Sequence, residues 1–180
     1  MKNEDFSEET IKTETIYSGK LLNVVKDTVR LPTGRLTVRE VVRHRGVVAI
    51  IPLLGEKIVM VRQFRQACGK PLIELPAGTM RLGENPKDCA YRELIEETGY
   101  VSRQLKRLLQ CYVAPGYSSE LVHIFLVTDL SKAVQDLEDD EFIRVVKLDL
   151  VTALRMIERN EIEDAKTIAG ILFFQKYLNP

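Results

Sequence analysis

The apolar positions of this chain fall into short runs that predict mostly strands. Val47 to Leu54 (VVAIIPLL) is apolar without interruption, the pattern of a strand buried on both faces. Gly55-Glu56 turns the chain, and Lys57–Gln63 reads as the next strand. Upstream, residues Glu14 to Arg43 have a strand-like pattern broken by the turn signal Leu31-Pro32-Thr33-Gly34, whereas the first ten residues are polar and predict no element. Downstream, Leu72–Leu75, Leu105–Val113, Leu121–Thr128 and Phe142–Leu148 read as strands, and Ser131–Glu141 as a polar loop. Val151–Arg159 and Ala165–Tyr177 read as helices, preceded by Asp149 and Asp164 as caps. Helices interspersed among strands predict an α/β fold with a mixed sheet covered on both sides.

One further helix carries the chemistry. Asn85 is a good N-cap, Pro86 suits the first helical position, and Gly99 can take the left-handed conformation that ends the helix. At about 100° per residue, Glu93, Glu96 and Glu97 share an arc of roughly 100°. Ala90, Tyr91, Leu94 and Ile95 lie on the opposite side and can pack on a sheet. Like charges at this spacing destabilise an isolated helix, so a cation should compensate them, and hard divalent ions prefer carboxylate oxygens.

Composition narrows the class. The 180 residues suffice for one substantial core, and 45% apolar with 29% charged residues is ordinary for a soluble globular protein. Basic and acidic residues number 26 each, which gives no electrostatic case for nucleic-acid binding. The absence of a membrane-length apolar run and of a signal-peptide core points to no membrane partner and a cytoplasmic location. Cys68, Cys89 and Cys111 are odd in number and lack CxxC spacing, consistent with reduced thiols. His44 and His123 are isolated and receive no chemical role.

The stretch Gly78 to Tyr100, GTMRLGENPKDCAYRELIEETGY, resembles the Nudix box G-x5-E-x7-R-E-U-x-E-E-x-G-U, where U is bulky and apolar. Every fixed position matches, with aromatic Tyr100 at the last U. The resemblance implies a Nudix α/β/α sandwich with a mixed sheet over residues 45–180, preceded by a small antiparallel N-terminal sheet over 1–44. It also implies hydrolysis of a nucleoside diphosphate linked to another moiety, with Mg2+ as the default ion and Mn2+ or another divalent ion as the alternative. By position, Glu93, Glu97 and Glu96 become metal ligands together with the Ala77 carbonyl. Arg92 becomes the partner that orients the carboxylates, and Glu84 a residue that shapes the loop.

The flanks resemble the ADP-ribose pyrophosphatase subgroup of that family. Pro115 lies sixteen residues after Gly99 within Pro115-Gly116-Tyr117-Ser118-Ser119-Glu120, and Arg39-Glu40-Val41-Val42, Val61-Arg62-Gln63-Phe64-Arg65 and Asp164-Ala165-Lys166-Thr167 also look like that subgroup. It implies Arg39, Glu40, Arg65, Pro115 and Glu120 as substrate contacts, and a homodimer that exchanges N-terminal sheets and uses them in the adenosine pocket. A glutamate on a late loop is implied as the water-activating base. Glu141 matches best, with Glu138 and Asp139 as neighbours able to take the role, and Glu96 or Glu120 beyond them. The expected reaction converts ADP-ribose to AMP and ribose 5-phosphate. The alternatives are a related sugar-nucleotide pyrophosphatase, such as one acting on GDP-mannose, and a non-catalytic Nudix-fold sensor of ADP-ribose.

Overall fold

The computed structural model describes residues 6–137 and 141–178. The chain sorts into two compact units, one of residues up to 45 together with 112–120, the other of 46–111 together with 121 onward.

In the first unit, β1 (Glu9–Ser18), β2 (Asn23–Arg30) and β3 (Leu36–Arg43) form an antiparallel sheet in that order. The turn between β2 and β3 closes with the Gly34 N–H on the Leu31 carbonyl at 2.8 Å, and Gly34 sits at φ 83°, where a Cβ would be strained. β1 begins at Glu9, inside the stretch whose polarity predicted no element. Each of its residues is exposed, and the strand-like pattern that starts at Glu14 marks only its second half. Its ladder with β2 and ion pairs such as Arg30–Glu9 hold it instead. β2 does alternate, burying Val25, Asp27 and Val29 on one face. Asp27 is satisfied there by the Thr13 hydroxyl at 2.6 Å and by Arg43 at 3.3 Å. Residues 117–119 add to β3 through Val42, whose N–H donates to Tyr117 and whose carbonyl accepts from Ser119.

The second unit is built on a mixed seven-stranded sheet. β4 (Val47–Leu54), β5 (Lys57–Arg65), β6 (Lys70–Glu74) and β7 (Ala77–Thr79) precede helix α1 (Pro86–Thr98). After it come β8 (Tyr100–Val101), β9 (Gln104–Tyr112), β10 (Leu121–Thr128), β11 (Ser131–Lys132) and β12 (Ile143–Asp149), then α2 (Leu150–Glu158) and α3 (Ala165–Leu178). The main strand order is β12-β5-β4-β10-β9, with β6 beside β5 and β7 beside β4. β4 and β10 run parallel, while β5 pairs antiparallel with β4, β6 and β12. β4 and β10 are buried along most of their length, which explains the unbroken apolar run in β4.

Alternation along these strands separates two cores. Val48, Ile50, Val59, Phe125 and Val127 face Cys89, Ala90 and Leu94 of α1. On the other side α3 sits close: a Cβ on Gly170 would lie 2.8 Å from Leu75 Cδ1 and 3.5 Å from Ile124, so the Leu75 side chain would have to shift to admit a larger residue there. The observed architecture is therefore the α/β/α sandwich. The polar stretch from Ser131 is not wholly a loop, because Ser131 and Lys132 pair with Val101 and Tyr100. No helix among the described residues is long and apolar enough to cross a membrane.

Candidate active site

Helix α1 forms where the sequence signals it. Asn85 Oδ1 accepts the N–H groups of Lys87 at 2.9 Å and Asp88 at 3.1 Å, and Gly99, at φ 68°, donates to the Ile95 carbonyl. The acidic arc, however, is not a solvated face. Glu93 and Glu97 are only 8% and 3% exposed, turned toward β7 and the core. Gly78 leaves room for this packing: a Cβ there would overlap the Glu93 carboxylate, which would have to move. Glu97 Oε2 accepts the Ala77 N–H at 2.9 Å, tying the strand before the loop to the helix.

Arg92 supplies part of the expected positive charge from within the chain. Its guanidinium donates to Glu84 at 3.0 Å through both Nε and Nη2, to Glu93 at 2.6 Å and to Glu96 at 2.8 Å. Glu84 also accepts the Arg81 N–H at 2.7 Å, and the Arg92 bonds hold its carboxyl down at about 2. Glu84 thus closes the loop onto the helix. For Glu93 burial outweighs Arg92 and pushes the carboxyl up to about 7, with Glu96 and Glu141 adding repulsion. Burial pushes Glu97 up to about 8, again with repulsion from Glu93 and Glu141. Two carboxylates so far from water call for a cation, and their hard oxygens fit a divalent ion. Among the described residues, no three His, Cys, Asp or Glu side chains already converge as a preformed metal cage.

Glu141 is brought within electrostatic reach of both buried carboxylates, although it is 44 positions beyond Glu97 in the sequence. It lines a groove of about 450 Å³ with Arg62, Phe64, Leu137 and Arg144. Glu138 and Asp139 lie outside the described residues. Arg65 is directed by a buried partner, its Nε and Nη2 donating to the two oxygens of Glu74 at 2.7 and 2.9 Å. Arg65 also lies near enough to Glu97 to favour its charged form.

The remaining predicted contacts belong to the first unit. Arg39, Glu40 and Pro115 share the wall of a cavity of about 380 Å³ with Glu8 and Ser118. Arg39 makes a two-pronged ion pair with Glu8, at 3.0 and 2.6 Å. Pro115 lies in a turn in which the Ala114 carbonyl accepts from Tyr117 and Ser118, and the Glu120 N–H donates to the Ser118 hydroxyl at 3.2 Å. Glu120 is not among that cavity's lining residues. Glu74 has no role among the residues singled out in the sequence, and Lys166, which also binds it, stands there only within the Asp164-Ala165-Lys166-Thr167 stretch, without a role of its own. The one signal of Glu74 was a single charge in the apolar run Leu72-Ile73-Glu74-Leu75.

Box, fold and buried carboxylates define a hydrolase of the Nudix class. The NUDIX domain matches residues 43–170, and the nucleoside diphosphate sugar hydrolase N-terminal domain matches residues 8–42. The chain belongs to the Nudix family. It is 41% identical over 171 residues to the ADP-ribose pyrophosphatase of Bacillus subtilis (strain 168), covering 93% of this chain and 92% of that protein. It is 42% identical over 173 residues to the methanol dehydrogenase activator of Bacillus methanolicus, covering 94% of each. A crystal structure of an ADP compounds hydrolase superposes with a TM-score of 0.86 at 22% identity, over 96% of this chain and 94% of the other, a likeness of fold.

Proposed function

We propose that the protein is an ADP-ribose pyrophosphatase that hydrolyses ADP-ribose to AMP and ribose 5-phosphate. The observation that carries the reaction is the pair of buried carboxylates Glu93 and Glu97 in a Nudix chain, Glu97 bonded to the Ala77 N–H and Glu141 within electrostatic reach of both. The choice of ADP-ribose rests on the similarity to a curated ADP-ribose pyrophosphatase over nearly the whole length.

Glu93 and Glu97, with Glu96 and the Ala77 carbonyl, would hold a divalent ion, with Mg2+ the proposed one. Such an ion neutralises the diphosphate and makes water more acidic. Arg92 holds Glu93 and Glu96 in place, and Arg65 binds a phosphate through its planar fork. Glu141 takes the proton of the attacking water as its oxygen bonds to phosphorus. The bridging P–O bond breaks and its oxygen leaves on the other phosphate. Arg39, Glu40, Pro115 and Glu120 are the proposed contacts for the rest of the substrate. A cytoplasmic homodimer that exchanges N-terminal sheets is proposed as the working form, supported by the exposed apolar residues of that sheet.

Purified protein with Mg2+ and a panel of ADP-ribose, GDP-mannose, diadenosine polyphosphates, coenzyme A and nucleoside triphosphates tests this reading. ADP-ribose should show the highest kcat/KM, with AMP and ribose 5-phosphate as products. Preference for GDP-mannose would move the substrate assignment and leave the reaction class intact; no turnover of any of them would remove it.

A further inference from the structure

Glu74, at the end of β6, is a carboxylate with 1% exposure held by two cations. Besides the two bonds from Arg65, its Oε2 accepts from Lys166 Nζ at 2.6 Å. Lys166 also donates to Asp164 Oδ1 at 2.9 Å. Asp164 Oδ2 in turn caps α3, accepting the Thr167 N–H at 3.0 Å and its hydroxyl at 2.6 Å. The Thr167 oxygen accepts the Leu75 N–H at 2.8 Å, which returns the chain of bonds to the residue after Glu74. Burial alone would raise the Glu74 pKa, yet the Arg65 and Lys166 bonds hold it below the ordinary value.

Two positive and two negative side chains cancel here, but apolar residues of similar volume would join β6 to α3 at least as stably. What the ionic set adds is direction. Glu74 engages the Nε–Nη2 edge of Arg65, so the Nη1 end of the fork points away from Glu74. Lys166, itself fixed by the α3 cap, pins Oε2 from the other side and stops the carboxylate from turning with Arg65. A guanidinium whose partner cannot move keeps one orientation for planar recognition of phosphate oxygens.

We propose that Glu74 and Lys166 are positioning residues that fix the Arg65 guanidinium in the orientation that binds the substrate diphosphate. This rests on the reading of Arg65 as a diphosphate contact. It also gives a task to the Asp164-Ala165-Lys166-Thr167 stretch, which the reaction itself does not use.

Calorimetric binding of the non-hydrolysable α,β-methylene analogue of ADP-ribose in saturating Mg2+, together with steady-state kinetics on ADP-ribose, tests the idea. Glu74→Gln and Lys166→Met should each weaken binding and raise KM by about 10–100-fold, the worth of a hydrogen bond to a charged group, with kcat changed far less. Lys166→Arg should recover part of the loss. Glu163→Gln removes an exposed bond to Lys70 one position from the cap and should leave binding unchanged. In an Arg65→Met background the effects of Glu74→Gln and Lys166→Met should vanish. Effects that multiply undiminished in that background overturn the positioning role while leaving the substrate assignment standing. A wild-type protein that neither binds the analogue nor hydrolyses ADP-ribose overturns both. If Glu74→Gln does not fold, the Lys166→Met cycle against Arg65→Met reads the same coupling.

Discussion

Glu93 and Glu97 show how burial, rather than charge count, sets the behaviour of this site. Both pKa values are raised above the ordinary 4.5, to about 7 and about 8, chiefly by removal from water. A raised carboxyl pKa favours the folded, protonated form. The resulting stability is fully present below about pH 4.5 and is lost as pH rises through 7 to 8. Chelator-treated protein should therefore melt at progressively lower temperature from pH 5 to pH 9, and Glu97→Gln should flatten that fall. Added Mg2+ should raise Tm more at pH 8.5 than at pH 6, because protons compete with the ion below the raised pKa values. Scanning calorimetry at the two pH values checks this, and a larger gain at pH 6 would refute it. Gly78 belongs to the same packing. Gly78→Ala should displace Glu93, cost about 1–3 kcal/mol as an overpacking change, and weaken Mn2+ binding measured by calorimetry. Spacing alone put Glu93, Glu96 and Glu97 on one arc. It did not show that two of them turn inward, because that depends on Gly78 and Ala77 approaching the helix from another strand.

Elements whose ends carry their own signals were legible in the sequence. α1 runs from the residue after Asn85 to the residue before Gly99, and Asp149 and Asp164 cap α2 and α3 by accepting the N–H groups of Thr152 and Thr167. Asn85→Ala should cost about 1 kcal/mol, read as a lower urea midpoint with an unchanged slope. The first half of β1, with β8 and β11, was not legible, since these pieces bury little or are two residues long and exist through their partners. The link between Glu141 and α1 was equally out of reach of local pattern, because it arises from the register of β12 on β5, with Ile143 opposite Gln63. That link places the proposed base. Glu141→Gln should lower kcat by about 10²–10⁴-fold with substrate and Mg2+ binding much less affected. An unchanged kcat alongside a collapse in Asp139→Asn would move the role two residues upstream.

At the scale of the whole molecule, the proposal that stands most exposed to test is the homodimer. By register, Leu36 and Val38 of β3 lie on the same face as Tyr17 of β1, opposite the face that buries Val25 and Val29. Leu36, Val38 and Tyr17 are 55%, 45% and 58% exposed, so this face of the three-stranded sheet carries unburied apolar side chains. A sheet this small gains little from its own burial, and a second copy would remove the open face from water. Light scattering coupled to gel filtration at micromolar concentration should give a mass twice the 20.6 kDa of the chain. Leu36→Glu with Val38→Glu should shift the protein toward the single-chain mass, since desolvating two carboxylates in an apolar contact is unfavourable. Activity should fall with dimer content if exchanged sheets contribute to the adenosine pocket, so turnover and mass must be measured on the same samples across a dilution series. A wild type that elutes at the single-chain mass and keeps its full kcat/KM would remove both the dimer and the shared pocket, leaving the chemistry to one chain.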